Sequence, residues 1–414
     1  MRPERVHITG GAHSMPSNRR PALAAAALVA ALALTATACG PSDDKATGEA
    51  KPSASAGQKG DDLPSLPKGI PTKDLEKWKK KWKDGAWKNW DKDQWMREAR
   101  DFINPIIEGH WKPDTMKDAR SSDKTLATQG APGTVPGGGA SDQGVTDPEP
   151  RPVQAKAVGL PYHNNAAPVG KVFFDSPEGH MVCSATVVKD PAHPGKSNMV
   201  WTAGHCVHAG KKGGWYRNIA FVPSYNDKGL PGAQVNSAPV TDVAPYGVWW
   251  ADWAQTSSQW ITQGAETGGA GAPYDFSVLH VKSENGNGKS LEETVGNALT
   301  VDFSTPQVKS IQSMGAWGYP AAPPFDGQKM YDCVDKPGRL TIEPSQPTMY
   351  RIGCTMTGGS SGGGWFAKGA DGKVVLVSNT SIGPSNSTWL AGPRLGPEAK
   401  GVYDALSQKF ANKQ

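Results

Sequence analysis

Residues 158–414 predict an all-β fold closed by one helix, and three observations predict it. The apolar runs are short, rich in valine and broken by Gly, Pro and Asn; Gly170 to Phe174, Ser184 to Val188 and Lys373 to Val377 are examples. Runs of that length and composition suit half-buried strands joined by turns. A segment opened by Asp275 alternates apolar residues (Phe276, Val278, Val281) as a strand does. Only the end of the chain changes period. Val402, Leu406 and Phe410 share one face of a helix, and Pro397 suits its first turn.

The rest of the chain has a different composition. The 414 residues include 49 Gly and 35 Pro, so part of the chain is expected to stay unfolded. The net charge of +5 is too small to argue for nucleic acid. Residues 22 to 38 form an alanine-rich apolar run preceded by Arg19 and Arg20. It reads as a secretory signal over residues 1–38, too short and too alanine-rich for a spanning helix. Met15 offers an alternative start that would leave a signal of more ordinary length. The run ends Ala36-Thr-Ala-Cys39, which is similar to a bacterial lipobox. Cys39 would then carry a lipid; plain secretion with cleavage nearby is the alternative.

Residues 39–71 read as a solvated tether of Ser, Gly, Lys, Asp and Pro. Residues 72–110 read as an amphipathic helix, with Leu75, Trp78 and Trp82 at helical spacing among lysines. Three roles compete for it: a second membrane contact, a propeptide or brace docked on the folded body, and binding of cell-wall polymer. Residues 111–157 are expected to form a disordered linker, because Gly, Pro, Ser, Thr and Asp dominate them from Ser121 onward.

The chemistry centres on Cys354-Thr-Met-Thr-Gly-Gly-Ser-Ser-Gly-Gly-Gly-Trp365. Ser361 stands among glycines, which permit the sharp turn that presents a hydroxyl. The same turn can aim the N–H groups of Gly359 and Ser361 at one point, where an oxyanion would develop. A flexible Gly/Ser surface loop is the bland alternative. A serine nucleophile needs a base, and the base needs an orienting group. His205 lies in Val200-Trp-Thr-Ala-Gly-His-Cys-Val207, and Asp275 in Pro273-Tyr-Asp-Phe-Ser-Val-Leu-His-Val281. His208 is expected in a solvent loop, and His280 as a packed or surface residue, since neither has an evident catalytic partner.

These three stretches, in the order His, Asp, Ser, resemble the motifs of the chymotrypsin-fold (trypsin-like) serine peptidases over about residues 160–412. The resemblance implies two packed six-stranded antiparallel β-barrels with a closing helix. It implies His205 as general base, Asp275 as orienting carboxylate and Ser361 as nucleophile. Digestive members carry Asp before the serine and Pro after the glycines; here Ser360 and Gly364 stand there, and no Ile-Val-Gly-Gly start is found. The chain is closer to bacterial secreted members related to the glutamyl endopeptidases.

Beyond Cys39, four cysteines remain, which allow three pairings. The family pattern implies Cys183–Cys206 and Cys333–Cys354. A zinc site is not expected, because no cysteines stand two or three apart. The resemblance further implies a specificity pocket at Thr355, Ser378 and Asn379, polar and uncharged. The function expected is a serine endopeptidase acting on polypeptides through an acyl-enzyme, without cofactor, as a monomer. It would lie outside the cell, lipid-anchored on the outer face of a bacterial membrane or freely secreted. A binding protein of the same fold that has lost turnover is the alternative.

Overall fold

A strand whose two faces are both buried needs mostly apolar residues, and the strands that carry this molecule have them, with buried polar exceptions such as Lys171, Ser184 and Asn218. The computed structural model describes residues 80, 81, 83–85, 102, 104–122, 124–126, 141–265, 269–286 and 288–413. Strands are numbered in chain order. The short β1 (Arg120–Ser121), β2 (Thr125–Leu126) and β3 (Lys156–Ala157) come first. Then follow β4 (Val169–Ser176), β5 (Gly179–Val188), β6 (Met199–Thr202), β7 (Arg217–Pro223), β8 (Trp249–Thr256) and β9 (Ser277–Ser283). These six close on themselves in the order β5-β4-β7-β8-β9-β6, with β6 pairing back to β5 through Thr186 and Trp201. Each sends one side chain inward to the same core: Val172, Cys183, Val200, Phe221, Trp249 and Leu279. Closure removes every free edge from this barrel.

The second half is β10 (Met314–Gly318), β11 (Tyr331–Asp335), β12 (Gly338–Leu340), β13 (Met349–Gly353), β14 (Gly364–Lys368), β15 (Val374–Asn379), β16 (Gly383–Pro384) and β17 (Trp389–Gly392). Six of them again share one core, through Met314, Cys333, Ile352, Trp365, Val377 and Leu390. The hydrogen bonding differs from the first half. It falls into a sheet β15-β14-β10-β11-β3 and a separate sheet β12-β13-β17, with β16 paired only to β2. The helix Pro397–Phe410 closes the chain and buries Val402, Leu406 and Phe410, with Pro397 in its first turn. It packs on Trp201, Phe276 and Val278 from the first barrel and Leu376 from the second. The two-barrel, mostly β architecture with a C-terminal helix is the one the sequence predicts.

Two expectations about the leading segment are corrected where it is described. The helix does not run through 72–110: Lys80, Lys81 and Lys83 are helical, but Asp84 and Gly85 form a turn with Gly85 at φ +106°. Residues 104–110 are extended and turn-like instead. There Asn104 bonds across two strands, donating to the carbonyls of Ile219 and Ala251 at 2.8 Å and accepting from Ile219 N–H. Nor are residues 111–157 a disordered linker where described. Trp111 is buried and donates to Asn218 O at 2.6 Å, and Met116 is buried with it on the outer face of the first barrel. Farther on, Asp147 pairs with Arg339 at 2.6 Å, and Asp142 lies 3.2 Å from Arg394. These polar residues look like linker in composition because their partners are distant in sequence. Residues 1–71, including the signal-type run and Cys39, lie outside the described residues.

Candidate active site

His205 enters from a short 3-10 turn, Gly204–Cys206, immediately after β6. Asp275 ends the 3-10 turn Ala272–Tyr274 and leads into β9. Because β6 and β9 are neighbours in the barrel, Thr202 faces Ser277 and the two turns meet at the same end. Asp275 then makes two bonds to one residue: His205 N–H donates to Oδ1 at 2.8 Å, and His205 Nδ1 meets Oδ2 at 2.7 Å. Both residues have no exposed surface. A carboxylate buried without partners would be costly, and here every oxygen is engaged, since Ser381 Oγ also donates to Oδ2 at 2.6 Å. His205 Nε2 is left buried with no hydrogen-bond partner among the described residues.

Ser361 comes from the other half, on the loop between β13 and β14. Its carbonyl accepts from Ser184 N–H at 2.7 Å, and Ser184 is the neighbour of Cys183, which is bonded to Cys206 beside His205. The next residue, Gly362, has φ +76°, and a Cβ there would lie 2.1 Å from Thr202 Oγ1. Only glycine allows the loop to press against the turn that carries His205. Ser361 itself is nearly buried, at 5 % exposed.

The loop's carbonyls are all held. Gly358 O accepts from Ala321 N–H, Gly359 O from Ser184 Oγ at 2.8 Å, and Ser360 O from Gly363 N–H at 3.0 Å. A planar trans peptide points its N–H opposite its carbonyl. Anchoring Gly358 O and Ser360 O therefore fixes the directions of Gly359 N–H and Ser361 N–H, neither of which donates to an acceptor among the described residues. Gly359 has φ +92°, which a side chain would strain. Ser360 bonds its hydroxyl back to Thr357 O at 2.7 Å. The loop is thus held without any acid at position 360.

Both disulfides pair as the family pattern implies. Cys183–Cys206 has Cα atoms 6.1 Å apart and Cys333–Cys354 has them 5.5 Å apart. Cys183, Cys206 and His205 lie within 4.8 Å of one another, but sulfurs joined to each other are not thiolate ligands.

Three expectations fail. Thr355, Ser378 and Asn379 do not line the cleft beside Ser361. Thr355 Oγ1 accepts from Ala155 N–H at 2.9 Å, Ser378 Oγ donates to Pro393 O at 2.7 Å, and both lie outside the wall. Asn379 is fully buried, taking Trp201 Nε1–H at 3.0 Å and donating to Asp275 O at 3.0 Å. It positions the acid from behind. The cleft, a cavity of about 180 Å³, is walled instead by Met356, Thr357, Thr380, Ser381, Ile382 and Trp389 among others. The wall residues of this stretch, Thr380, Ser381 and Ile382, follow the end of β15 at Asn379, and Met356 and Thr357 follow Thr355.

His208 is not in a solvent loop. It is buried, its Nδ1 accepts from Gly210 N–H at 3.0 Å, and burial pushes its pKa down to about 4. His280 packs as expected, stacked on Phe410 at 3.6 Å with Nδ1 2.5 Å from Asp252.

Ser381 and Ser184 escaped the sequence reading. The signal for Ser381 was present, as the last of the hydroxyl-rich Ser378-Asn-Thr-Ser381 that follows an apolar strand. Ser184 reads only as a polar residue inside a strand.

No protein-family model matches the chain, and no curated protein matches it. Among solved structures it is similar to a thermostable serine protease, AL20, from an extremophilic microorganism. That likeness has 31% identity over 59% of this chain and 98% of that one, with a TM-score of 0.47. It is similar to the protease Anisep from Arthrobacter nicotinovorans, at 28% identity over 61% and 99% of the two chains, TM-score 0.47. A Glu endopeptidase is similar at 16% identity over 61% and 96%, TM-score 0.44.

Proposed function

We propose that the chain is a serine endopeptidase that cleaves polypeptides through an acyl-enzyme. One observation carries the reading: His205 has one ring nitrogen pinned by buried Asp275 and the other buried and unpartnered, at the turn against which the Ser361 loop is pressed. His193 also has one nitrogen on a buried carboxylate, Asp190, and the other unpartnered among the described residues; what sets His205 apart is the glycine-rich Ser361 loop packed against its turn.

In this mechanism Asp275 holds Nδ1–H and fixes the tautomer with Nε2 free. Nε2 takes the proton of Ser361 as Oγ attacks a peptide carbonyl. The C–O bond to Oγ forms, and the carbonyl oxygen becomes an oxyanion met by the N–H groups of Gly359 and Ser361. The imidazolium, stabilised by Asp275, gives its proton to the departing amine as the C–N bond breaks. Water, deprotonated by the same nitrogen, then frees the acid and restores Ser361. Each oxyanion donor contributes about 3 kcal/mol in such sites. Among the described residues the cleft walls hold no carboxylate and, apart from Lys124, no charge, so an uncharged side chain is the one proposed for it.

The two disulfides support an oxidising compartment outside the cell. The lipid anchor at Cys39, release by secretion as its alternative, and a monomeric state complete the proposal. Treatment of the full chain with a fluorophosphonate probe tests the activity. Labelling at Ser361, absent in Ser361→Ala, is expected; folded protein that takes no label would leave a binding protein of this fold. Partition of Cys39→Ser into the aqueous phase of a detergent separation, against native protein in the detergent phase, tests the anchor.

A further inference from the structure

The second half of the molecule has an edge that the first lacks, and the chain's own leading segment lies on it. β16 pairs with β2 alone, in parallel, with Gly383 opposite Thr125 and Pro384 opposite Leu126. β16 is the continuation of Ser381, whose hydroxyl holds Asp275. It therefore runs outward from the site. Lys124 and Thr125 wall the same cavity as Ser361, Gly358 and Ser360. Leu126 is 4 % exposed and sits in an apolar pocket with Ile382, Trp389, Ala272, Leu340 and Met349. A Cβ built at Gly269 would meet Ile342 and Leu126 side chains at 3.0 and 3.3 Å, so the pocket is closed from that side too.

We propose that residues 124–126 are an internal cover of the candidate site: by pairing with β16 and seating Leu126 in the adjoining apolar pocket, they occupy in the intact chain the path an extended peptide would take beside Ser361. The proposal rests on the peptidase reading for its consequence, which is that the intact chain is self-covered. An unpaired strand edge with an adjoining apolar pocket is what extended peptides recognise: backbone bonds give affinity, and the side-chain pocket gives selection. A site filled from within the chain presents a weakened affinity to outside peptide, reduced by the fraction of time it stands open. The occupant is short, so a single substitution can shift that fraction. Leu126→Asp puts a carboxylate into the apolar pocket and lifts the segment.

The test uses a fluorescein-labelled peptide of residues 122–130, added to the full-length native chain and to full-length Leu126→Asp, both carrying Ser361→Ala so that nothing is cut. The peptide is expected to bind the variant at least about tenfold more tightly. The same peptide with Asp for Leu should bind neither chain. Leu126→Ala, a gentler change, should fall between, and unchanged melting of all chains keeps the comparison fair. Equal binding to native and variant chains, or equal binding of both peptides, overturns the proposal. Fluorophosphonate labelling of the Ser361 forms gives the second readout. Faster labelling of Leu126→Asp supports a covered active site. Tighter peptide binding with no labelling of either chain would keep the cover and reject the peptidase.

Discussion

The two barrels carry the same number of core strands and differ in closure. In the first, β6 returns to β5 and no edge is left. His205 and Asp275 sit at the end of two of its adjacent strands with no exposed surface. In the second, the strands split into separate sheets, and Ser361 with its neighbouring N–H groups is held by backbone bonds on a glycine loop, beside β16, which is paired only with the short β2. In the proposed mechanism the closed barrel would fix the proton relay, which needs rigidity and exclusion of water. The open one presents a nucleophile and a strand edge, which need access. The division assigns acid–base geometry to one half and substrate contact to the other.

Substitutions can break or sharpen that division. Ser361→Ala is expected to cost the most, roughly a 10⁶-fold loss of kcat with unchanged melting; native turnover from this variant would end the assignment. Asp275→Asn should lower kcat about 10⁴-fold, because an amide offering N–H to Nδ1 favours the wrong tautomer; kcat and KM measured together would place the loss in kcat.

Lys171 tests whether the closed barrel tolerates a buried charge. It lies on β4, donates to Gly327 O at 2.9 Å and stands 4.6 Å from the Tyr225 ring centre. Burial lowers its pKa to about 7, against 10.5 for the free side chain. The unfolded chain therefore binds more protons than the native one between about pH 7 and 10.5, and this group's penalty on stability is full below pH 7 and fades as pH rises through that window. Lys171→Met should stabilise the protein by a few kcal/mol at pH 6 and by much less at pH 10. Urea melts at the two pH values check the sign; a gain that grows with pH would refute it.

The disulfides compare the halves directly. Their sequence separations are 23 and 21, so loop entropy predicts a similar loss of about 3 kcal/mol when either is replaced by two alanines. Activity should diverge: loss of Cys183–Cys206 slows probe labelling more, because Cys206 adjoins His205. The smallest effect is expected from Ser381→Ala, which removes one bond to Asp275 and should lower kcat about tenfold with KM little changed. A rise in KM with kcat unchanged would make Ser381 a wall of the cleft and nothing more.

Much of the site was legible because the chemistry depends on short stretches. Gly362 and Gly359 are glycines for reasons of space and φ that any chain of this geometry shares, and they flag the loop without knowledge of the fold. The His205 and Asp275 turns likewise carry their own signatures. The cleft walls were misplaced because they lie just past the end of β15, at Thr380 to Ile382, and where a strand ends depends on the partners it pairs with. His208 was misread because nothing in its neighbours says that Trp215 and Trp260 will bury it. Asp142 and Asp147 looked like linker, and Asn104 like part of a helix, because their partners stand more than a hundred residues away.

By itself the sequence determined the strand character of residues 158–414, the closing helix and which side chains to examine as candidates for the chemistry, since period, glycine placement and residue type act over a few positions. Tertiary structure alone decided which hydroxyl supports Asp275, which side chains wall the cleft, and that Leu126 would lie on the β16 edge. Those outcomes follow from register and burial between distant segments, where the free energy depends on the partner that arrives and not on the residue's own neighbours.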